Sequence, residues 1–315
     1  MEKAIKITNI TKTFGRLRNR ITAVNNLNME IEKGTVHGFI GPNGAGKTTT
    51  IKMIIGAIKP TRGEIFVFGE PAGSVEAKKF IGYSPEHPQF YSMNALEFLV
   101  YTGEICGMRR EEARKRAKEL LEWIGLYDFR NRNAKNFSAG MKQKLSFIQA
   151  LIHDPEILIL DEPTANLDPI GRFEILEKIK TLRKKENKTV FVSSHILHEL
   201  ERVVDHVTII RRGATILQTS MEELRKKFSS NHFVIGTSRN QYYLEKFKCL
   251  KSVREVWLNH EGKIETVVSD DDRFKKELIG IFKGREAELQ EFYPFRISLE
   301  NIFLKIMGRE NENYQ

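Results

Sequence analysis

Gly41-Pro42-Asn43-Gly44-Ala45-Gly46-Lys47-Thr48 fits the spacing Gly-x-x-x-x-Gly-Lys-Ser/Thr in full. Glycines at these intervals let successive backbone N–H groups wrap a phosphate, and the dipole of a following helix adds positive potential. Lys47 can reach β and γ oxygens, and Thr48 can offer a hydroxyl to Mg²⁺. Further on, Leu158-Ile159-Leu160-Asp161-Glu162 reads as an apolar strand ending in two adjacent carboxylates. Side chains alternate across a strand, so these two are expected to do different work. Asp161 is placed to hold the metal, directly or through water, and Glu162 to polarise a water attacking the γ-phosphate. Strands often end in polar residues, and only the phosphate loop upstream gives this pair its meaning.

Four further features are ambiguous when taken singly. His195 follows the apolar run "TVFVSS", where an imidazole could contact the γ-phosphate and orient Glu162 and its water. In isolation it is an ordinary residue at a helix start. Glu86, in "IGYSPEHP", follows a strand and precedes Pro88, on a loop able to reach the metal. Phe14, in "TKTFG", can stack on a base or belong to a core. The stretch "NFSAGMKQK" begins like a helix, with Ser138 as its cap, and helix N-termini attract anions. Nothing within those nine residues supplies a nucleotide pocket, so its ligand must come from elsewhere in the chain or from another copy of it.

The elements that must position these residues alternate between strand and helix. Ala4 to Ile10 and Ala23 to Ile31 alternate as strands around a Gly/Arg/Asn turn region, and Val36 to Ile40 leads into the glycine loop and an apolar helix, "IKMIIGAI". Strands are expected at Gly63 to Gly69, Glu156 to Pro163 and Thr189 to Ser194. Helical periodicity fills Asn94 to about Asn131, and helices are expected from Pro169 and near His195. Such alternation implies a mostly parallel sheet with helices on both faces. After a polar helix, Met221 to Ser230, the order becomes βαββαβ with a closing helix from Ser298, including a strand near Ala287 to Tyr293. That order suggests a small ferredoxin-like α+β module.

The chain has 315 residues, 40% hydrophobic and 29% charged, enough for about two domains. Its two cysteines, Cys106 and Cys249, lack metal-site spacing and point to a reducing compartment. The N-terminus lacks the apolar segment of a signal peptide, and no apolar run approaches the roughly 18–20 residues needed to span a bilayer. A soluble, cytoplasmic chain is expected. The net charge of +10 comes with acidic residues interspersed among the bases, as in "RREEARKRAKELLEW", and without a basic ladder interleaved with aromatics. Nucleic acid is therefore not an expected partner.

The order of these pieces over residues 1–220 resembles the ATP-binding subunit of an ATP-binding cassette (ABC) transporter. The resemblance implies a P-loop ATPase domain with a mostly parallel core sheet, an antiparallel β subdomain and a helical subdomain at about 87–137. A linker helix at 221–230 and an accessory α+β domain at 231–315 would follow. By this resemblance Phe14 stacks on adenine, and Gly41 to Thr48 with Thr49 is the Walker A loop. Glu86 takes the Q-loop position, and Ser138-Ala139-Gly140-Met141 is the signature. Asp161 and Glu162 form Walker B with the catalytic base, Asn166-Leu167-Asp168 is the D-loop, and His195 is the switch histidine. ATP with Mg²⁺ would lie between the Walker A loop of one subunit and the signature of the other, in a head-to-tail homodimer. The dimer would sit at the cytoplasmic face of the cell membrane, beneath a separate permease subunit.

The signature departs from the usual Leu-Ser-Gly-Gly-Gln. Ala139 adds a methyl, acceptable if its backbone is not glycine-like. Met141 loses a hydrogen bond toward ribose, and Glu86 replaces the usual glutamine. By resemblance these features, and "SLENIFLKIMGRE" (Ser298 to Glu310), are those of drug-, sodium- or polysaccharide-type exporter subunits. The alternative is an ABC ATPase of translation or DNA repair, but the second cassette, long coiled coil or zinc insertion of those proteins is missing. A GTPase would need Asn-Lys-x-Asp, whereas Asn187-Lys188 is followed by Thr189-Val190. His195 and His198 have helical spacing suited to zinc but no convincing third ligand.

Overall fold

The computed structural model describes residues 2–15, 20–229, 231–284, 288–295 and 298–309. The core of the expected turn (16–19), Ala287, Ser230 and the tail from Glu310 lie outside the described residues. Contacts divide the chain into two compact units, Met1–Met221 and Glu222–Gln315.

The first unit carries two sheets. One is antiparallel, in the order β2–β1–β4–β5, from β1 (Lys3–Phe14), β2 (Ile21–Glu32), β4 (Arg62–Val67) and β5 (Glu70–Pro71). The other has six strands, in the order β10–β9–β3–β8–β7–β6. Its parallel part joins β3 (Val36–Ile40), β6 (Ile81–Ser84), β7 (Ile157–Asp161), β8 (Thr189–Ser194) and β9 (His206–Arg211), with β10 (Ala214–Ser220) antiparallel at the edge. Every residue of β3, β7 and β8 is buried, as the inner strands of a parallel sheet covered on both faces are. One core joins both sheets: Ile7 and Leu27 from the antiparallel sheet, Phe39, Ile159 and Phe191 from the parallel one, and Ile51, Met53 and Ile54 from helix α1 (Lys47–Ile54).

Three details differ from the sequence reading. Helix α1 starts at Lys47 and ends at Ile54, several residues earlier than the apolar run suggested. Gly46 caps it in a left-handed conformation (φ 104°), and the left-handed Gly56 turns the chain away beyond its end. The helix expected near His195 is a single turn, α7 (Leu197–Leu200). The hairpin β9–β10 was not anticipated. It turns on Arg212 and Gly213, both with positive φ, which matches the twist of two-residue hairpins.

Between β6 and β7 lie α3 (Ala95–Ile105), α4 (Arg110–Trp123), two short 3₁₀ turns and α5 (Ala139–Gln149). α2 (Val75–Lys79) precedes β6, and α6 (Pro169–Glu186) links β7 to β8. α8 (Met221–Ser229) follows β10.

The second unit has β11 (His232–Thr237), α9 (Asn240–Lys248), β12 (Val253–Leu258), β13 (Ile264–Val268), α10 (Asp271–Phe282), β14 (Leu289–Pro294) and α11 (Leu299–Arg309). The sheet order is β12–β13–β11–β14 with all pairs antiparallel, the ferredoxin-like topology that the βαββαβ order predicts. Phe233 and Ile264 of the sheet share a core with Tyr243 and Phe247 of α9 and Phe274 and Phe282 of α10.

Candidate functional site

In a parallel sheet all strands deliver their C-terminal ends to one edge, where ligands bind. Here four of them carry the chemistry-bearing residues: β3 runs into Gly41–Thr48, β6 toward Glu86, β7 into Asp161 and Glu162, and β8 into His195. Pro42 to Thr49, Glu86, Asp161, Glu162 and His195, together with Ala23, line one pocket of about 510 Å³, from which Gly41 is absent.

The loop's shape is dictated by its glycines. At Gly46 the backbone is left-handed and a Cβ would come within 2.6 Å of the Ala23 carbonyl oxygen. At Gly41 a Cβ would meet the Ile210 carbonyl oxygen at 2.6 Å. The unanticipated hairpin braces the same loop, for Gly213 N donates to the Ala45 carbonyl at 2.9 Å. Lys47 is 8% exposed, and its ammonium donates to the Gly41 carbonyl at 2.7 Å. That contact folds the side chain back along the loop it serves.

Strand alternation would send Asp161 and Glu162 to opposite faces, yet both line the pocket. β7 ends at Asp161, and Glu162 takes a left-handed conformation (φ 50°) that breaks the alternation. A non-glycine residue held this way is strained, and strain of this kind gathers at functional sites. The surroundings over-determine it. Glu162 N donates to Ser193 Oγ at 3.1 Å, and Gln143 Nε2 donates to the Glu162 carbonyl at 3.5 Å. Glu162 Oε2 lies 2.8 Å from His195 Nδ1 and also accepts from His195 N, while Oε1 lies 4.0 Å from Lys47 Nζ. With a carboxylate as its partner the imidazole carries its proton on Nδ1. Asp161 is 1% exposed, and its Oδ1 accepts from Ser193 Oγ at 2.5 Å. Tyr83 stands close by, its phenol pushed up to about 12 by burial and then by the Asp161 and Glu86 carboxylates.

Thr48, Glu86 and Asp161 offer only oxygen donors to the pocket, the set that suits a hard cation such as Mg²⁺. Among the described residues no three His, Cys, Asp or Glu side chains gather as a closed metal cage. Mg²⁺ rarely uses one, since it is commonly held by one or two carboxylates plus substrate phosphates and water. The residues present fit that ion.

Three of the expected regions, Phe14, the Ser138–Met141 stretch and the Asn166–Asp168 turn, lie outside the pocket lining. Phe14 is 44% exposed at the end of β1, where it pairs with Ile21, two residues from the lining residue Ala23. Ser138 caps α5, accepting from Met141 N at 3.2 Å, and neither it nor Ala139, Gly140 or Met141 lines the pocket. Ala139 is the first helical residue and is not among the positive-φ positions, so its extra methyl meets no backbone strain. Asp168 caps α6, accepting from Gly171 N at 2.7 Å, with Pro169 at the first helical position.

Several contributors escaped the sequence reading. Ser193 reads only as the polar end of a strand, and Gln143 as one polar residue of a helix. Gln143 is 1% exposed and ties α5 to the backbone of Glu162, and Ser146 ties the same helix to Ser84 at 2.8 Å. The only available signal was a polar residue on the buried stripe of an amphipathic helix.

Residues 24–165 match the ABC transporter family. The chain is 42% identical to the bacitracin transport ATP-binding protein BcrA of Bacillus licheniformis, over 98% of each chain. It is 32% identical to the linearmycin resistance ATP-binding protein LnrL of Bacillus subtilis, over 97% of this chain and 98% of the relative. Among solved structures it is similar to the dimeric, post-hydrolysis state of the ATP-binding cassette MJ0796 bound to ADP and Pi. That likeness has a TM-score of 0.64 and 28% identity, and covers 69% of this chain and 98% of the other. Relatives named for transport and resistance favour a transport ATPase over one acting in translation or repair, and the chain belongs to the ATP-binding subunits of ABC transporters, ATPases that couple ATP hydrolysis to transport.

Proposed function

We propose that this chain binds ATP and Mg²⁺ on the Walker A loop and hydrolyses the ATP only when a second copy docks head to tail. The observation that carries this reading is the split between the pocket and Ser138. Walker A, Asp161, Glu162 and His195 share one pocket, while the capped N-terminus of α5 has no anion to meet there.

In the proposed mechanism the loop amides and Lys47 hold the phosphates, and Lys47 leaves its contact with the Gly41 carbonyl to do so. Thr48, Asp161 and Glu86 would hold Mg²⁺, which supplies charge neutralisation to the β and γ oxygens. Glu162 accepts the proton of the attacking water. His195, donating from Nδ1 to Glu162, fixes that carboxylate and turns its other nitrogen toward the γ-phosphate side. Phe14 stacks on adenine, and Ser138, Ala139, Gly140 and Met141 close over the γ-phosphate bound by the opposite subunit, with Asp168 on the D-loop beside them. The dimeric relative in its ADP and Pi state supports this arrangement.

No helix among the described residues is long and apolar enough to cross a membrane. We propose that the chain works with a separate permease, met through the helical segment at about 87–137 at the cytoplasmic face of the cell membrane, a reading that the transport ATP-binding relatives support. The names of BcrA and LnrL support an exporter-type role, with 221–230 as a linker helix and 231–315 as an accessory α+β domain. The test is Glu162→Gln in the purified full chain. Hydrolysis should drop by about 10²-fold or more while ATP binding persists; hydrolysis at the wild-type rate would remove Glu162 from the role of base.

A further inference from the structure

We propose that Arg172 is a positioning residue that joins the helix following the switch histidine to the half-site offered to the second subunit. The proposal rests on the head-to-tail reading above. Arg172 lies in the first turns of α6 and makes two contacts that no local helix requirement demands. Its Nε donates to the Leu167 carbonyl at 2.9 Å, and its Nη1 lies 3.3 Å from Glu199 Oε1. One planar guanidinium thereby spans the D-loop and α7, a role that its rigid fork of donors suits.

Each end of the bridge leads to a nucleotide site. On one side, Glu199 sits four residues after His195, whose imidazole contacts Glu162 inside the pocket. Glu199 is only 7% exposed, and its Oε2 is buried with no hydrogen-bond partner among the described residues. A carboxylate so poorly satisfied depends strongly on its one cation, so a shift of α7 drags Arg172 with it. On the other side, Leu167 Cδ2 lies 3.3 Å from where a Cβ on Gly140 would stand, pressing the D-loop against the signature backbone. The Asp168 cap locks the turn between Leu167 and Arg172, so that the turn moves as one piece. Contacts join Glu162 to His195, and Glu199 through Arg172 to Leu167 beside Gly140, while the short stretch of chain from His195 to Glu199 links the two halves. Together they connect the γ-phosphate end of a subunit's own site with the surface it presents to its partner's ATP.

The alternative is that Arg172 only clamps the start of α6. A coupling claim needs coupling evidence, so the two roles are separated by a double-mutant cycle. Arg172→Gln, Glu199→Gln and the double variant are placed in the full chain carrying Glu162→Gln, chosen so that bound ATP is not consumed. ATP-driven dimerisation is measured by sedimentation, and ATP binding to the monomer by a fluorescent analogue. Each single variant should weaken the ATP-bound dimer about tenfold and change monomer binding by less than about twofold, with the double variant no worse than either single. In the wild-type background kcat should fall while KM holds. A clamp of α6 would lower the melting temperature and leave dimerisation unchanged, which would overturn the proposal, as would additive losses. Should Arg172→Gln fail to fold, the near-isosteric Glu199→Gln carries the same comparison. If the Glu162→Gln chain itself stays monomeric with ATP, the head-to-tail reading fails and the bridge with it. If that chain dimerises and the variants match it, the bridge alone is wrong.

Discussion

Gly46 shows how narrowly the phosphate loop is specified at single residues. Its φ of 104° and the Ala23 carbonyl 2.6 Å from any added Cβ leave room for no side chain. Gly46→Ala should therefore displace the loop and weaken ATP binding, at a cost on the order of 1–3 kcal/mol in backbone strain alone. A calorimetric titration with ATP checks this, and wild-type affinity would contradict it. The glycine–lysine spacing was legible from the chain because the chemistry is local, contained in eight consecutive residues. Glu162 was legible as a carboxylate but not in its geometry. Its left-handed backbone is imposed by Ser193 and Gln143, partners 31 and 19 residues away, and no local pattern announces them.

At the scale of elements, the buried parallel strands were the easiest to read. Val36–Ile40 and Thr189–Ser194 are short, fully buried strands built on Val, Phe and Ile, with the boundaries that their sequence suggests. The β9–β10 hairpin lacked the Asn-Gly or Asp-Gly signature of its turn type, since Arg212 occupies the first left-handed position. Its contribution to the site, a hydrogen bond to the Ala45 carbonyl, was hidden with it. β3 also carries a consequence for pH. His37 is fully enclosed, with Nε2 2.8 Å from Thr208 Oγ1 and its ring stacked on His206, which in turn faces Glu32 at 3.9 Å. Burial, and secondarily His206, hold His37 down at about 3 from the ordinary 6.5. The fold keeps this ring neutral while the unfolded chain takes up the proton. Stability is thus complete above about pH 6.5 and lost as pH falls toward 3. At pH 5 the loss is about 2 kcal/mol. His37→Phe should flatten the fall of melting temperature between pH 7 and pH 5, and an unchanged slope would show that His37 is not its source.

For the whole molecule, the subunit holds the pocket and, outside its lining, the capped helix α5, which in the proposed arrangement completes the site of a second copy. Ser138, Ala139, Gly140 and Met141 form a sound helix start on their own account, and the partner proposed for them lies on a second copy, so no contact within the chain points to it. The proposed arrangement makes nucleotide binding and dimerisation separable by mutation. The direct measurement is sedimentation of the full chain carrying Glu162→Gln, with and without Ser138→Arg, at saturating ATP and Mg²⁺. The account predicts a dimer for the first and a monomer with ATP still bound for the second. A dimer that survives Ser138→Arg, or a monomer that no longer binds ATP, would contradict it.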